Sequence, residues 1–322
     1  MPTRGEGSLR SFDGALAALL EELHVKRYSA SITKQARRVL PRFFRFLRAR
    51  RVRDLRGVSE ADVVAYARQL QRENTTSGMP LAAETQRAYL THVKRLFAFL
   101  ERRGAILQDP ALDLVMPRVE KLPQVVLTEA QARELVAAPS AVTATGKRNR
   151  AILELLYGTG IRVNECARLE TRDVDLAKGT LFVRQGKGKK DRIVPVLGCA
   201  AAALGLYLRE ARHELVRHQP EPAVFLSKLS GRALSPGAIE LLVRQSAKAA
   251  GIPARVSPHT LRHSFATHLI QGGADVRHVQ ELLGHASLSS TAIYTRVATE
   301  DLRGVIRKSH PRERTWGGRG KA

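Results

Sequence analysis

The sequence predicts a mainly α-helical protein of two domains, with a small β-sheet or hairpin in the second. Three observations lead there. Apolar residues recur at helical spacing through most of the chain. The stretch DPALDLVMPRVEKLP breaks that pattern with Pro110, Pro117 and Pro123, the mark of an extended linker. The run GTLFVRQGKGKKDRIVPV places two β-rich arms about a Gly/Lys turn, a hairpin signal. At 322 residues the length also suits two domains of ordinary size.

The elements follow in order. Residues 1–10 are polar and contain glycine, so a flexible N-terminus is expected. Residues 11–106 read as a domain of about four helices. SFDGALAALLEELHV carries Leu16, Leu19, Leu20 and Leu23 at helical spacing. ITKQARRVLPRFFRFLRARR sets Val39, Leu40, Phe43, Phe44 and Leu47 on one side with arginines around it, and Pro41 marks a kink or a helix start. SEADVVAYARQL opens with Ser59 as N-cap and Asp62 three residues on. TQRAYLTHVKRLFAFLERRG repeats Leu90, Val93, Leu96, Phe97 and Leu100 and stops at Gly104. A linker is expected over 107–124, a second domain over 125–305 and a tail over 306–322. In the second domain TEAQARELVAA is a capped helix, RNRAILELLYGTG is an apolar helix ending in glycines, and helices resume from Ala200.

Composition limits the partners. Lys plus Arg number 54 against 30 Asp plus Glu, a formal charge of +24. The excess is +9 up to Glu120 and +15 beyond it, so both halves suit one polyanion, nucleic acid before others. No apolar run reaches transmembrane length, and MPTRGEGSLR lacks the apolar stretch of a signal peptide. Two cysteines, Cys166 and Cys199, make no disulfide framework. A cytoplasmic protein without membrane attachment is expected.

Four stretches could carry chemistry. In YGTGIRVNECARL, Arg162 starts a helix and Glu165 lies on the same side, as a surface ion pair or as part of an anion pocket. In RQGKGKKDR three lysines crowd a glycine turn. The glycine spacing is not that of a P-loop, which leaves a solvated basic hairpin or a mobile lysine brought to a phosphate. In SPHTLRHSFATHLIQGG, Ser257 and Pro258 suit N-cap and N1, and Leu261, Phe265 and Leu269 form the buried stripe. His259 and Arg262 then share a face at an anion-friendly helix start. His263 and His268, five apart, make a poor metal pair, and no CxxC or HExxH occurs. In LLGHASLSSTAIYTR, Gly284 is a natural C-cap, and His285 and Tyr294 follow in a polar segment.

Taken together these residues suit phosphoryl transfer on a nucleic-acid backbone. Arginines can neutralise a phosphate, a tyrosine can attack it, and lysine and histidine can move protons. The order GTGIRVNEC, GKGKKDR, HTLRHSFATHL and LLGHASLSSTAIYT resembles the tyrosine recombinase (phage integrase) family, in particular its bacterial Xer-type recombinases and mobile-element integrases, over almost the whole chain. The resemblance implies a helical core-binding domain (SAM-like) and an α/β catalytic domain forming a C-shaped clamp on DNA. It implies Arg162 and Arg262 as phosphate-binding arginines, and Lys187, beside Lys189 and Lys190, as the donor to the 5′-oxygen. His259 becomes the proton-transfer histidine, His285 a hydrogen-bond donor to the phosphate, Tyr294 the nucleophile and Glu165 a supporting acid. It further implies cleavage through a 3′-phosphotyrosyl ester and exchange through a Holliday junction, with neither cofactor nor metal. The expected partners are double-stranded DNA with inverted half-sites and a homo- or hetero-tetramer, including a paralogous recombinase. Chromosome-dimer resolution and mobile-element integration both remain open, and a type IB topoisomerase or a DNA-binding protein without recombination is the alternative. Leu302, Val305 and Ile306 make a short apolar face that their own domain could cover; in the family a C-terminal segment commonly docks on a neighbouring protomer, which offers the face a second destination.

Overall fold

The computed structural model describes residue 9 and residues 11–75, 78–119, 125–184, 191–217, 220–284 and 295–316, with backbone alone for 295–301 and 315–316. It divides into two compact units, Met1–Leu122 and Pro123–Ala322. Among the described residues no helix is long and apolar enough to cross a membrane.

The first unit is built from α1 (Phe12–Val25), α2 (Ala30–Ala49), α3 (Glu60–Arg72) and α4 (Ala83–Arg102). Ser11, Ser29 and Ser59 cap the first three with their hydroxyls, and Asp62 completes the box at Ser59. The inward stripes meet in one core that includes Leu19, Phe43, Phe44, Tyr66 and Phe97. Pro41 neither starts nor ends α2. It lies inside the helix on an exposed position, where the missing N–H and the ring face solvent rather than the core. The expected linker begins later than its first proline suggests. Asp109 accepts the Ala111 N–H at 2.7 Å, and this turn buries Ala111 and Leu114 against the first unit. Two apolar residues three apart find the core despite Pro110.

The second unit holds α5 (Glu129–Ala137), α6 (Ala144–Thr159), α7 (Val163–Ala167), β1 (Val174–Asp175), β2 (Thr180–Val183) and β3 (Arg192–Pro195). It continues with α8 (Gly198–Leu206), which runs through a π-turn at Tyr207–Ala211 into α9 (Arg212–Leu215). Then come α10 (Pro236–Ala249), α11 (Pro258–Gln271), α12 (Val276–Leu283), α13 (Thr295–Ser309) and α14 (Pro311–Trp316). Helix α6 is the central rod: Ala151, Ile152, Leu153, Leu155, Leu156 and Tyr157 are all fully buried, as expected of a helix apolar on every side. The strands form an antiparallel sheet in the order β1-β2-β3, with Val183 opposite Arg192 and Thr180 opposite Pro195. Strands β2 and β3 are the two arms of the expected hairpin, and its tip, 185–190, lies outside the described residues.

The C-terminal stretch departs from the expected tail. Leu302 and Ile306 are buried in the core of their own unit, and His310 is fully buried against the rings of Tyr157 and Phe265. Helix α14 follows, and Arg312 forms an ion pair with the buried Glu154 of α6. The apolar face read from the sequence is therefore satisfied within the chain: α13 packs on α11 and β3, which buries Leu302 and Ile306 and half-buries Val305.

Candidate phosphate-binding active site

The site forms where the end of α6, the start of α11 and the end of α12 meet. Helix α6 stops at Gly160, which adopts a left-handed conformation (φ 63°). A Cβ here would stand 2.5 Å from the Phe265 ring, so glycine allows both the turn and the close approach to α11. Arg162 follows as the N-cap residue of α7. Its backbone N–H donates to Glu165 Oε2 at 2.8 Å, and its guanidinium donates to Glu165 Oε1 at 2.9 Å.

Helix α11 opens with the expected cap. Ser257 Oγ accepts from the Thr260 N–H at 3.2 Å, and Thr260 Oγ1 accepts from the Ser257 N–H at 3.1 Å. Pro258 occupies N1, and Leu261, Phe265 and Leu269 are buried without remainder. His259 is left exposed on the first turn. Arg262, one turn further, donates to the Gly160 carbonyl at 2.5 Å and to the Leu283 carbonyl at 2.7 Å. Helix α12 ends at Gly284, left-handed at φ 62°, whose carbonyl accepts from Arg162 at 3.4 Å. The two arginines thus satisfy carbonyls at the negative end of α12 and are brought together there. His259, Arg262, His263 and Leu283 line one cleft beside them.

A third guanidinium completes the cluster. Arg192, the first residue of β3, donates from both terminal nitrogens to Glu165, at 3.0 and 2.8 Å. Burial alone would raise the Glu165 carboxyl; the bonds from Arg192, then those from Arg162, outweigh it and hold the group at about 2. Burial, then repulsion from Arg162, pushes Arg262 down to about 10. Arg162 and Arg192 share the Glu165 carboxylate and Arg262 stands beside them on backbone carbonyls, so three guanidiniums gather about one carboxylate in partly dry surroundings. An anion placed there would relieve that repulsion, and a phosphodiester offers the planar oxygen pairs that guanidinium forks match.

Of the residues singled out from the sequence, Arg162, Glu165 and Arg262 converge, and His259 borders the same cleft. Lys187, His285 and Tyr294 lie outside the described residues; the strands that flank the Lys187 hairpin, and the Gly284 cap that precedes His285, are described. Arg192 was missed. Its signal was available: in the strand RIVP, period-two alternation puts Arg192 on the same face as buried Val194, an inward charge in need of a partner.

Comparison with known proteins agrees with this geometry. Residues 125–301, more than half of the chain, match the phage integrase family. The chain belongs to the phage integrase family. Residues 16–104 match the N-terminal SAM-like domain of phage integrases. The chain is 39% identical over 297 residues to tyrosine recombinase XerC 2 of Ralstonia nicotianae, covering 92% of this chain and 85% of that protein. It is 40% identical over 306 residues to tyrosine recombinase XerD of Mycobacterium tuberculosis, covering 93% and 98%. In fold it is similar to lambda integrase residues 75–356 in a dimer bound to a COC′ core site, with a TM-score of 0.66, 18% identity and coverage of 87% and 98%. The chain is thus a site-specific tyrosine recombinase, an enzyme that cleaves and rejoins DNA through a tyrosine nucleophile.

Proposed function

We propose that Tyr294 is the nucleophile and that Arg162, Lys187, His259, Arg262 and His285 surround the scissile phosphate of a duplex DNA site. The observation that carries this is the convergence of Arg162 and Arg262 on the last carbonyls of α12, directly before the segment that bears His285 and Tyr294. The tyrosines themselves support it. The chain has six. In the second unit Tyr157 and Tyr207 are fully buried, their hydroxyls 2.8 Å from His268 Nδ1 and 3.0 Å from the Val224 carbonyl. Tyr28, Tyr66 and Tyr89 belong to the first unit. Tyr294 is the tyrosine of the second unit that remains, ten residues past the Gly284 cap on which Arg162 converges.

The reaction follows from these roles. Tyr294 Oη attacks phosphorus and loses its proton to a neighbouring base, and His259 takes part in that exchange. The phosphorus–5′-oxygen bond breaks, and Lys187 gives the leaving oxygen its proton. Arg162, Arg262 and His285 bind the non-bridging oxygens and stabilise the charge of the pentacoordinate state. Glu165 stays ionised and orients Arg162. The 3′-phosphotyrosyl ester keeps the bond energy, so the 5′-hydroxyl of a partner strand reverses the step without ATP. Residues 11–106 are read as the core-binding domain, 125–305 as the catalytic domain, and both as basic enough to hold DNA.

Lambda integrase has been solved as a tetramer bound to a Holliday junction. The same two-step chemistry in this chain calls for four protomers on paired inverted half-sites, as a homo-tetramer or with a paralogous recombinase. Formation of recombinant product, rather than relaxed plasmid alone, distinguishes this from a topoisomerase. The Lys187 assignment has its own test. Lys187→Ala slows cleavage of ordinary DNA, and a bridging 5′-thio substitution restores it, because a thiolate leaves without a donated proton. Restoration in Lys189→Ala but not in Lys187→Ala would move the role to Lys189.

A further inference from the structure

The Glu165 carboxylate accepts four hydrogen bonds, and two of them come from Arg192. That exceeds what a cap at α7 requires, since Arg162 alone closes the turn. Arg192 stands beside the starts of the two segments that carry Lys187 and Tyr294. It is the first residue of β3, immediately past the hairpin that carries Lys187. Its other side lies against Gly284: a Cβ there would meet Arg192 Nε at 3.0 Å, Cδ at 3.1 Å and Cζ at 3.2 Å. Its Nε is itself buried, and among the described residues it has no hydrogen-bond partner. The guanidinium therefore fills the space between the carboxylate and the cap that launches the His285–Tyr294 segment.

Competition for the carboxylate gives this arrangement a consequence. Glu165 offers two oxygens. With Arg192 chelating both edges, Arg162 keeps a single guanidinium contact, through one terminal nitrogen to Oε1, and its other terminal nitrogen faces the Gly284 carbonyl. Without Arg192, Glu165 is free to take Arg162 as a bidentate partner, the geometry that guanidinium and carboxylate favour, and to turn it away from the α12 terminus.

The geometry points to Arg192 as a positioning residue for DNA cleavage: by occupying Glu165 from the opposite side, it keeps the Arg162 guanidinium directed at the scissile phosphate. This rests on the proposed role of Arg162. The effect is on neutralisation of phosphate charge and not on protonation of the leaving oxygen. Misplacement of a charge-stabilising group by about 1 Å costs on the order of 10²-fold in rate, and a loss of that order is expected here.

The test uses full-length protein, single-turnover cleavage and three DNA substrates: ordinary phosphodiester, scissile methylphosphonate and bridging 5′-thio. A methylphosphonate replaces one charged oxygen by methyl, so a defect in charge neutralisation is relieved on it. Arg192→Gln is expected to bind DNA, to cleave the phosphodiester about 10²-fold more slowly, and to regain most of that loss on the methylphosphonate, as is also expected of Arg162→Ala. The 5′-thio substrate should give no such relief. Arg192→Lys keeps the charge but not the fork, and is expected to show the same pattern with a smaller defect. It carries the test if Arg192→Gln does not fold. Parent-like cleavage by both variants would overturn the proposal. So would relief by the 5′-thio substrate, which would place Arg192 in the service of the lysine hairpin. A defect in Arg192→Gln that the methylphosphonate leaves in place, while it relieves Arg162→Ala, would reduce Arg192 to a structural residue. If Arg162→Ala itself is not relieved, the role of Arg162 falls and the proposal falls with it, an outcome distinct from the others.

Discussion

Replacing Arg312 by alanine removes the partner of a buried carboxylate. Glu154 sits on α6 with only 2% of its side chain exposed, and Arg312 is 11% exposed. The two side chains meet in a forked contact: the terminal nitrogen reaches Oε1 and Nε donates to Oε2 at 3.2 Å. Breaking a buried pair by removing one partner costs about 3–5 kcal/mol, because the remaining charge keeps its desolvation penalty. For a domain of this size about 1 kcal/mol shifts Tm by about 2–4 °C, so Arg312→Ala should melt about 6–20 °C below the parent. The sign for the double replacement is different. Arg312→Met with Glu154→Leu removes both charges and fills the space, and should recover most of the loss. The assay is thermal unfolding of the three proteins by circular dichroism. A single variant within about 2 °C of the parent would show that α14 contributes little to the fold. A double variant as unstable as the single would show that packing, and not the stranded charge, was responsible. The same reasoning applies to truncation after Thr299. It deletes Leu302 and Ile306, each worth about 1.5–3 kcal/mol of burial, along with Arg312. Such a protein should lose stable folding of the second unit, and not merely its contact with a neighbour.

Further outcomes follow from other positions. Gly284→Ala forces a left-handed residue to carry a Cβ, at about 1–2 kcal/mol, and presses on Arg192; cleavage should fall while DNA binding by gel shift stays near the parent, and unchanged cleavage would contradict the placement of Arg192. Burial pushes the His310 imidazole down to about 3, with the charges of His268, Arg312 and Arg314 opposing its protonation. Its folded pKa is depressed, so its contribution is fully present above about pH 6.5 and is lost, by up to about 1.4 kcal/mol per unit, as pH falls towards 3. His310→Leu should therefore flatten the acid side of the Tm–pH curve, and an equally steep curve would refute the burial. Binding of duplex DNA should weaken steeply with salt, as expected for a protein of charge +24. Each unit alone should bind more weakly and with a shallower log–log slope; one unit carrying the full slope would show that the other does not touch DNA.

Much of this site was legible because its parts are local. Ser257 and Pro258 announce the start of α11, and Gly160 and Gly284 announce the ends of α6 and α12 by the left-handed turns that only glycine adopts freely. The spacing of Leu261, Phe265 and Leu269 fixed which face of α11 was free for His259 and Arg262. What could not be read was convergence. Arg192 meets Glu165 across 27 positions and Arg262 meets Gly160 across 102, and no periodicity encodes either contact. The two-residue strand β1 is too short to leave an alternating pattern. Leu302 and Ile306 displayed an apolar face, yet the sequence does not say whose core it enters; that depends on the shape of α11 and β3. Ala111 and Leu114 were obscured by Pro110, since a proline that weakens the case for regular structure still allows a turn that packs.

The most direct test of the account is to trap the covalent protein–DNA adduct on a nicked duplex bearing the recombination site, digest it with protease and nuclease, and locate the nucleotide by mass spectrometry. The account predicts a nucleotide joined through its 3′-phosphate to Tyr294, and no adduct at all from Tyr294→Phe. A nucleotide on any other residue, or an adduct that persists in Tyr294→Phe, would contradict it.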